Sequence, residues 1–358
     1  MDFKLDDLIN KAIQDAITER GHINVLIAGR SGVGKSTLIN SVFQSNIAKT
    51  GQGRPVTPNV REISKEGTPL TIFDTRGLEM KDFSNTIEGL ENIISQRCTD
   101  TDTNKHIHVA WLCIHEDGRR VEDAEINLHN MLAKHVPLIT VITKARSDCG
   151  FQNDVLDLLP ESRNVMRVRA IEEEFDEGFK LPPMGLKELI DVTSSVIPEG
   201  KRRALAASQK ADLEYNKDQA HKVVAAAATA SAAAGASPIP VSDVAILAPI
   251  QIGMIASITS VFGMEVSKGT LSTLVSSAIG VTGVSFAGRA IVSNILKLFP
   301  GIGSVAGGAI SAATASALTV ALGEAYISVL ASFFSENPDG SPDVEYIAEK
   351  LKEKMKGI

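Results

Sequence analysis

Basic clusters are nearly absent from this 358-residue chain, in which 36 lysines and arginines stand against 43 aspartates and glutamates for a formal charge of -7. A nucleic-acid partner is therefore not favoured, since gripping a phosphate backbone takes a concentrated positive face. Cysteine is scarce as well. Cys98, Cys113 and Cys149 share no metal-ligand spacing, and their odd number suits reduced, buried thiols in a cytoplasmic setting better than a disulfide framework. An export signal is not expected either, because Asp2, Lys4, Asp6 and Asp7 interrupt any opening apolar stretch. The polar half of the chain is thus expected in the cytoplasm. Charge itself runs out later: from Val223 to Ser335 only Asp243, Glu265, Lys268, Arg289, Lys297 and Glu324 carry any. That density is membrane-like.

What is present divides the chain. Leu5, Leu8, Ile9, Ala12, Ile13, Ala16 and Ile17 recur at helical spacing, so residues 1–20 are expected as an amphipathic helix that packs on a neighbouring domain. From residue 21 to about 200, short apolar runs alternate with amphipathic stretches, the rhythm of a mainly parallel sheet covered by helices. The strand-like runs are Ile23 to Ala28, Leu70 to Phe73, Ile107 to Ile114, Pro137 to Thr143 and Val165 to Ala170, with Val60 to Ser64 set to pair beside the second. Helical patterns fall at Leu38 to Phe43, Ile87 to Ile94, Ala124 to Leu132 and Leu186 to Val196. Residues 201–221 read as a polar connector, 222–335 as an all-α domain rich in small residues, and 336–358 as a charged helix capped by Ser341 and Pro342. The fold class expected is α/β with a second, helical domain.

Directly after the run Ile23 to Ala28 comes Gly29-Arg30-Ser31-Gly32-Val33-Gly34-Lys35-Ser36, the full P-loop pattern, with a helix opening at Thr37. Glycines let the amides of residues 30–37 curl around phosphates at a helix N-terminus. Lys35 supplies charge to the β- and γ-phosphates, and Ser36 places a hydroxyl on Mg²⁺. Asp74-Thr75-Arg76-Gly77 follows the next apolar run and has the Asp-x-x-Gly form: a strand-end carboxylate for Mg²⁺ and a glycine amide that senses the γ-phosphate. Between the two motifs, Thr50 to Thr57 is Gly/Pro-rich and polar, which suits a mobile loop whose Thr57 joins the Mg²⁺ ligands in the active state. Lys35, Thr57 and Gly77 are the candidate catalytic residues, and Ser36, Thr57 and Asp74 the candidate metal ligands.

Together these residues resemble the septin-like, Era-like branch of the P-loop GTPases, where a Gly-x-Pro-x-Thr loop, here Gly53 to Thr57, precedes Asp-x-x-Gly. The resemblance covers roughly residues 21 to 200 and implies GTP or GDP with Mg²⁺ as ligands. Ile107 to Ile114, followed by Arg119 and Arg120, is similar to the fourth strand of some of these GTPases, which makes His106, His108 and His115 strand-end residues, with metal binding the lesser alternative. Beyond residue 220, Pro238 to Asp243, Pro249-Ile250-Gln251 and Met254 resemble a domain of unknown function often fused to such GTPases.

Two departures from the family pattern matter. Its base-reading motif, Asn/Thr-Lys-x-Asp, stands here as Thr143-Lys144-Ala145-Arg146, with the aspartate only at Asp148. Either Asp148 reaches the guanine edge through a longer turn or another group replaces it. Val168-Arg169-Ala170 is placed like the last base-contacting loop, its amide near Ala170. Leu78 occupies the place of the water-orienting glutamine, so hydrolysis is expected to be slow, with a partner or second protomer completing the site and Arg54 and Arg76 as internal candidates.

In the carboxyl-terminal half, Val244 to Phe262, Thr270 to Gly288 and Gly301 to Gly323 are each uncharged and close to the ~20 residues that span a bilayer. Membrane insertion or attachment through residues 222–335 is the expectation, with a soluble bundle of small-residue helices, in which Gly303 and Gly307 would allow close approach, as the alternative. The function expected is a GTP-dependent switch coupled to a membrane or helical partner. The rivals are a nucleotide-binding scaffold without turnover and a GTP-regulated membrane-remodelling protein.

Overall fold

Six consecutive buried residues, Ile23–Ala28, make β1 a strand covered on both faces, as a parallel sheet sandwiched between helices requires. The computed structural model describes residues 5–44, 52–57, 60–75, 83–176, 178–235, 242–279 and 312–356. They form two units, one of residues 21–212 and one of the amino-terminal helix with the chain from Leu213 onward.

In the first unit the order is β1, α2 (Lys35–Val42), β2 (Gln52–Thr57), β3 (Val60–Ser64), β4 (Leu70–Thr75), α3 (Phe83–Cys98), β5 (Val109–His115), α4 (Asp123–Ala133), β6 (Leu138–Thr143), α5 (Phe151–Leu158), β7 (Asn164–Val168), α6 (Leu186–Val196) and α7 (Arg202–Ser208), with α1 (Leu5–Arg20) belonging to the other unit. A two-stranded ribbon, β8 (Glu173–Glu174) with β9 (Lys180–Leu181), lies between β7 and α6. The described strands of the main sheet run β2-β3-β4-β1-β5-β6-β7. β4, β1, β5, β6 and β7 are parallel, and β3 and β2 add on antiparallel. Strand period sorts the core. Ala110, Leu112 and Ile114 of β5 face the layer of α3, α4 and α5 with Leu90, Ile94, Leu128, Leu132 and Val155. Trp111 points the other way, stacked on Phe43 at 5.6 Å and donating its indole N–H to Thr193 Oγ1 of α6 at 3.2 Å.

Three segments differ from expectation. Gln52–Thr57, read as a loop, is the edge strand β2, and Pro55 is tolerated there because an edge strand has one side on which no amide is needed. α5 escapes sequence pattern because only Phe151 and Val155 are buried along it, too short a stripe for a helical window. The carboxyl-terminal helix begins at Val344, two residues after Pro342, because the Asp343 carboxylate accepts the Glu345 N–H at 2.9 Å and so caps it.

The second unit contains α1, α8 (Leu213–Gly235), α9 (Ser242–Val261), α10 (Lys268–Ile279), α11 (Ala312–Glu336) and α12 (Val344–Lys356). α1 buries Ile9, Ala12 and Ala16 in this unit, and Asp6 pairs with Lys268 at 3.0 Å. Polar side chains tie its helices together. Ser231 and Thr319 hydroxyls meet at 2.8 Å, Thr259 and the Tyr326 hydroxyl at 2.8 Å, and Asn216 donates to Val261 O at 3.0 Å. Among the described residues α11 is the one helix with the length and apolarity to cross a membrane, and half of its apolar window is buried inside the unit. Among its described side chains α9 carries the apolar run Leu247–Val261, and residues 280–311, which held parts of two other expected spans with Gly303 and Gly307, lie outside the described residues.

α8 and α11 touch at Gly323, where a Cβ would stand 2.5 Å from Val224 Cγ2 and 3.1 Å from Met254 Sδ. Gly323→Ala is expected to cost about 1–3 kcal/mol through overpacking. Urea denaturation followed by far-ultraviolet circular dichroism would register this as a lower midpoint.

Candidate nucleotide-binding site

β1 lies where the strand order reverses, with β4 on one side and β5 on the other, so the connections leaving them diverge and open a crevice at the carboxyl ends of the strands. The glycine-rich turn sits there. Gly29 has φ 142°, and a Cβ on it would come within 2.5 Å of Cys113 O on β5; no other residue fits so close to the neighbouring strand. Gly34, at φ 102°, is the residue before α2 and accepts the Leu38 N–H through its carbonyl at 2.9 Å. Ser31, Gly32, Ser36 and Thr37 face solvent while Val33 is buried beneath them. Lys35 Nζ donates to Gly29 O at 2.7 Å and Arg30 O at 2.9 Å, which holds the ammonium over the concave side of the loop. Arg30 is held by Glu122 at 2.5 Å, and Glu122 in turn takes part in the capping box of α4.

Strands β4 and β6 end beside this loop. Asp74, on β4, is in register with Ile27 of β1 and is nearly buried. The Thr143 hydroxyl, at the end of β6, lies 2.5 Å from Val33 O and 3.1 Å from Ile114 O, so it ties the loop to β5 and β6. Lys144 takes a left-handed φ of 53°, with its Cε 3.8 Å from where a Cβ of Gly34 would be, so its stem lies along the loop. Ser36 and Asp74 provide a hydroxyl and a carboxylate, the hard oxygen donors that Mg²⁺ takes beside phosphate oxygens. The backbone of Thr57 ends β2 opposite Val60. Gly77, with Arg76 and Leu78, lies outside the described residues.

Beside the loop is a cavity of about 280 Å³ lined by Gly34, Thr143, Lys144, Arg146, Ala170 and Glu173 among others. Its far wall is built by Arg169, a buried residue that sequence reading placed only as a neighbour of Ala170. Arg169 donates to Ala145 O at 2.7 Å and Pro182 O at 2.6 Å, clamping the loop after β7 to the loop after β6. Asp148 is not brought to this cavity. Its carboxylate accepts the Gln152 N–H at 2.9 Å and the Gly150 N–H at 3.2 Å at the start of α5, and lies 3.6 Å from Arg167 Nε. The loop is anchored instead by Glu116, whose side chain is 1% exposed and accepts from the Arg146 and Ser147 amides and from Arg167 Nε at 2.5 Å. Burial pushes the Glu116 carboxyl up, and the Arg167 guanidinium with the two amides outweighs this, holding it below its ordinary value.

His108, just before β5, is structural. His108 Nδ1 accepts the Asn24 N–H at 2.9 Å, so its proton is on Nε2, which donates to Thr103 O at 3.0 Å. Both ring nitrogens are used, and among the described residues no three His, Cys, Asp or Glu side chains converge to hold a metal. Burial, then the Lys201 charge, lowers the His108 pKa to about 4. A lowered folded-state value means that stability is complete above about pH 6.5 and is lost as pH falls toward 4, by up to about 3 kcal/mol. Urea melts between pH 4 and 7 should show this slope, and His108→Gln should flatten it.

Residues 24–144 match the family model described as 50S ribosome-binding GTPase, which covers the P-loop, Asp74 and Thr143. The amino-terminal half is a P-loop GTPase domain. Residues 201–357 match the model of a domain of unknown function, so the GTPase domain is joined to a second recognised family. The chain is 30% identical over 174 residues to the tRNA modification GTPase MnmE of Bordetella parapertussis, which covers 47% of this chain and 36% of that protein. It is 26% identical over 229 residues to Septin-1 of Rattus norvegicus, 54% of this chain and 63% of that one. It is 37% identical over 87 residues to Ribosome biogenesis GTPase A of Bacillus cereus, 24% and 27% of the two chains. The chain spans less than two thirds of the length of each of these relatives.

Proposed function

We propose that this chain binds GTP and GDP with Mg²⁺ and hydrolyses GTP slowly, as a switch whose nucleotide state is passed to its helical unit. The observation that supports this reading most is the Lys35 ammonium held over a loop of glycine-permitted amides where β1 meets α2. In this reading the amides of residues 30–37 and Lys35 grip the β- and γ-phosphates, and the cavity beside Gly34 takes the base between Lys144 and Ala170. Ser36, Asp74 and Thr57 hold Mg²⁺, which when bound supplies charge to the phosphate oxygens. Water attacks the γ-phosphorus as the bond to the β–γ bridging oxygen breaks, giving GDP and phosphate, and the Gly77 amide follows the γ-phosphate.

Leu78 offers no hydrogen bond to the attacking water, so a second protomer meeting this one through the GTPase domain, or another partner, completes the site. The test is titration of GTP, GDP and ATP with Mg²⁺, followed by single-turnover hydrolysis at several protein concentrations. Guanine-nucleotide binding with a hydrolysis rate that rises with concentration is expected. Fast turnover by a monomer would defeat the partner requirement, and binding without turnover would leave a scaffold.

A second element of this reading is membrane attachment of the helical unit, supported by the length and apolarity of α11. Flotation of the full chain with phospholipid vesicles, with GTP and with GDP, tests it; a monodisperse chain without detergent that stays at the bottom of the gradient would reject it.

A further inference from the structure

Residues 201–212 match the opening of the domain of unknown function, yet they fold within the GTPase unit, whose last residue is Asp212. α7 is buried from Ala204 to Ser208, and the chain then turns against the far end of α2, the helix whose other end carries the phosphate loop. Gln209 forms an antiparallel bridge with Phe43, the residue that closes α2. The Lys210 N–H donates to Val42 O at 2.9 Å, and Gln44 Nε2 donates to Gln209 O at 3.2 Å. Gln209, 1% exposed, holds the turn itself: its Nε2 donates to Asp212 O and its Oε1 accepts the Asp212 N–H, both at 2.8 Å. Leu213, the next residue, opens α8 in the other unit.

We propose that Gln209 to Asp212 is a strap fastened by nucleotide: phosphates gripped at the first turn of α2 tighten the strap seated on its last, and an empty phosphate loop lets the strap loosen. The proposal rests on the nucleotide-binding reading above. α2 has eight residues, just over two turns, and a helix so short holds only through what is attached to it. The last carbonyls of a helix find no partner within it, and the strap supplies one through Lys210. Phosphates at one end and the strap at the other thus stabilise a single short element, so each favours the other by the same factor. The chain that the strap holds runs directly into α8. Occupancy of the phosphate loop therefore reaches the start of the helical unit through α2, separately from any movement of the loops at Thr57 and Gly77.

The test is hydrogen–deuterium exchange of the full chain in Mg²⁺, with and without GDP, read at the Lys210 and Asp212 amides, together with the GDP affinities of wild type, Gln209→Ala and Gln44→Ala. GDP is expected to slow the two strap amides about 5-fold or more beyond any slowing in β6 and β7 of the same unit, which report its overall stability. Both variants are expected to exchange faster at the strap and to lose GDP affinity by up to the factor by which GDP slows the strap in the wild type. Gln44 is only half-buried, so its truncation carries the test should loss of the buried Gln209 side chain unfold the unit. Strap amides that GDP leaves unchanged, or slows no more than those of β6 and β7, would overturn the proposal while nucleotide binding stood. So would a Gln44→Ala strap that exchanges faster with GDP affinity intact. A wild type that binds no GDP would overturn the nucleotide reading along with it.

Discussion

Lys35→Ala is expected to weaken GTP and GDP binding at least about 100-fold, close to 3 kcal/mol, while leaving the fold intact. The ammonium makes charge-assisted hydrogen bonds, each worth more than a neutral one, and two phosphates would share it. Its partners within the protein are two neutral backbone carbonyls, of the buried Gly29 and the half-buried Arg30, so its removal costs the fold little beside what it costs phosphate binding. Titration calorimetry of wild type and variant, with thermal melts of both in the absence of nucleotide, separates the two effects. Equal affinity in the two proteins would remove the phosphate site from this loop.

Glu116→Ala is expected to destabilise the GTPase domain by about 3 kcal/mol and to loosen the base cavity at the same time. The side chain is 1% exposed and answers three donors at once, the amides of Arg146 and Ser147 and the largely buried guanidinium of Arg167. Taking away one partner of a buried pair leaves an uncompensated charge, which is the costly half of such an interaction. Glu116→Gln should cost less, since its amide oxygen still accepts. Because the folded-state pKa lies below its ordinary 4.5, the stabilisation is present above about that pH and is lost as pH falls through the lower value. Urea midpoints of the three proteins at pH 7 measure the cost, and GTP affinities measure the loosening; unchanged midpoints would mean that the Arg146 loop stands without Glu116.

Much of this was legible along the chain. β1 and α6 fall where apolar runs and periodicity put them, Ile23–Ala28 and Leu186–Val196, because a strand buried on both faces and a helix with one apolar stripe each leave a contiguous imprint. α7 and α8 left a weaker one. Ala204 to Ser208 are all buried, yet alanine and serine carry little hydrophobic signal, and Lys201, Arg202 and Arg203 just before them give the stretch a polar look. β2 was obscured by Gly53 and Pro55, residues that mark turns in most settings and that an edge strand accommodates.

What the sequence by itself determined is the phosphate loop, because the chemistry lies within nine contiguous positions, Gly29 to Thr37, whose glycines and lysine act through the local backbone. What only the tertiary structure decided is which carboxylates line the cavity beside that loop, Glu172 and Glu173 rather than Asp148. Arg146 and Glu173 stand 27 positions apart, and Asp148, the nearer acid on paper, spends its oxygens on the start of α5. Side-chain direction at a loop is set by the contacts that anchor it, here Glu116 and Arg169, and those come from other strands.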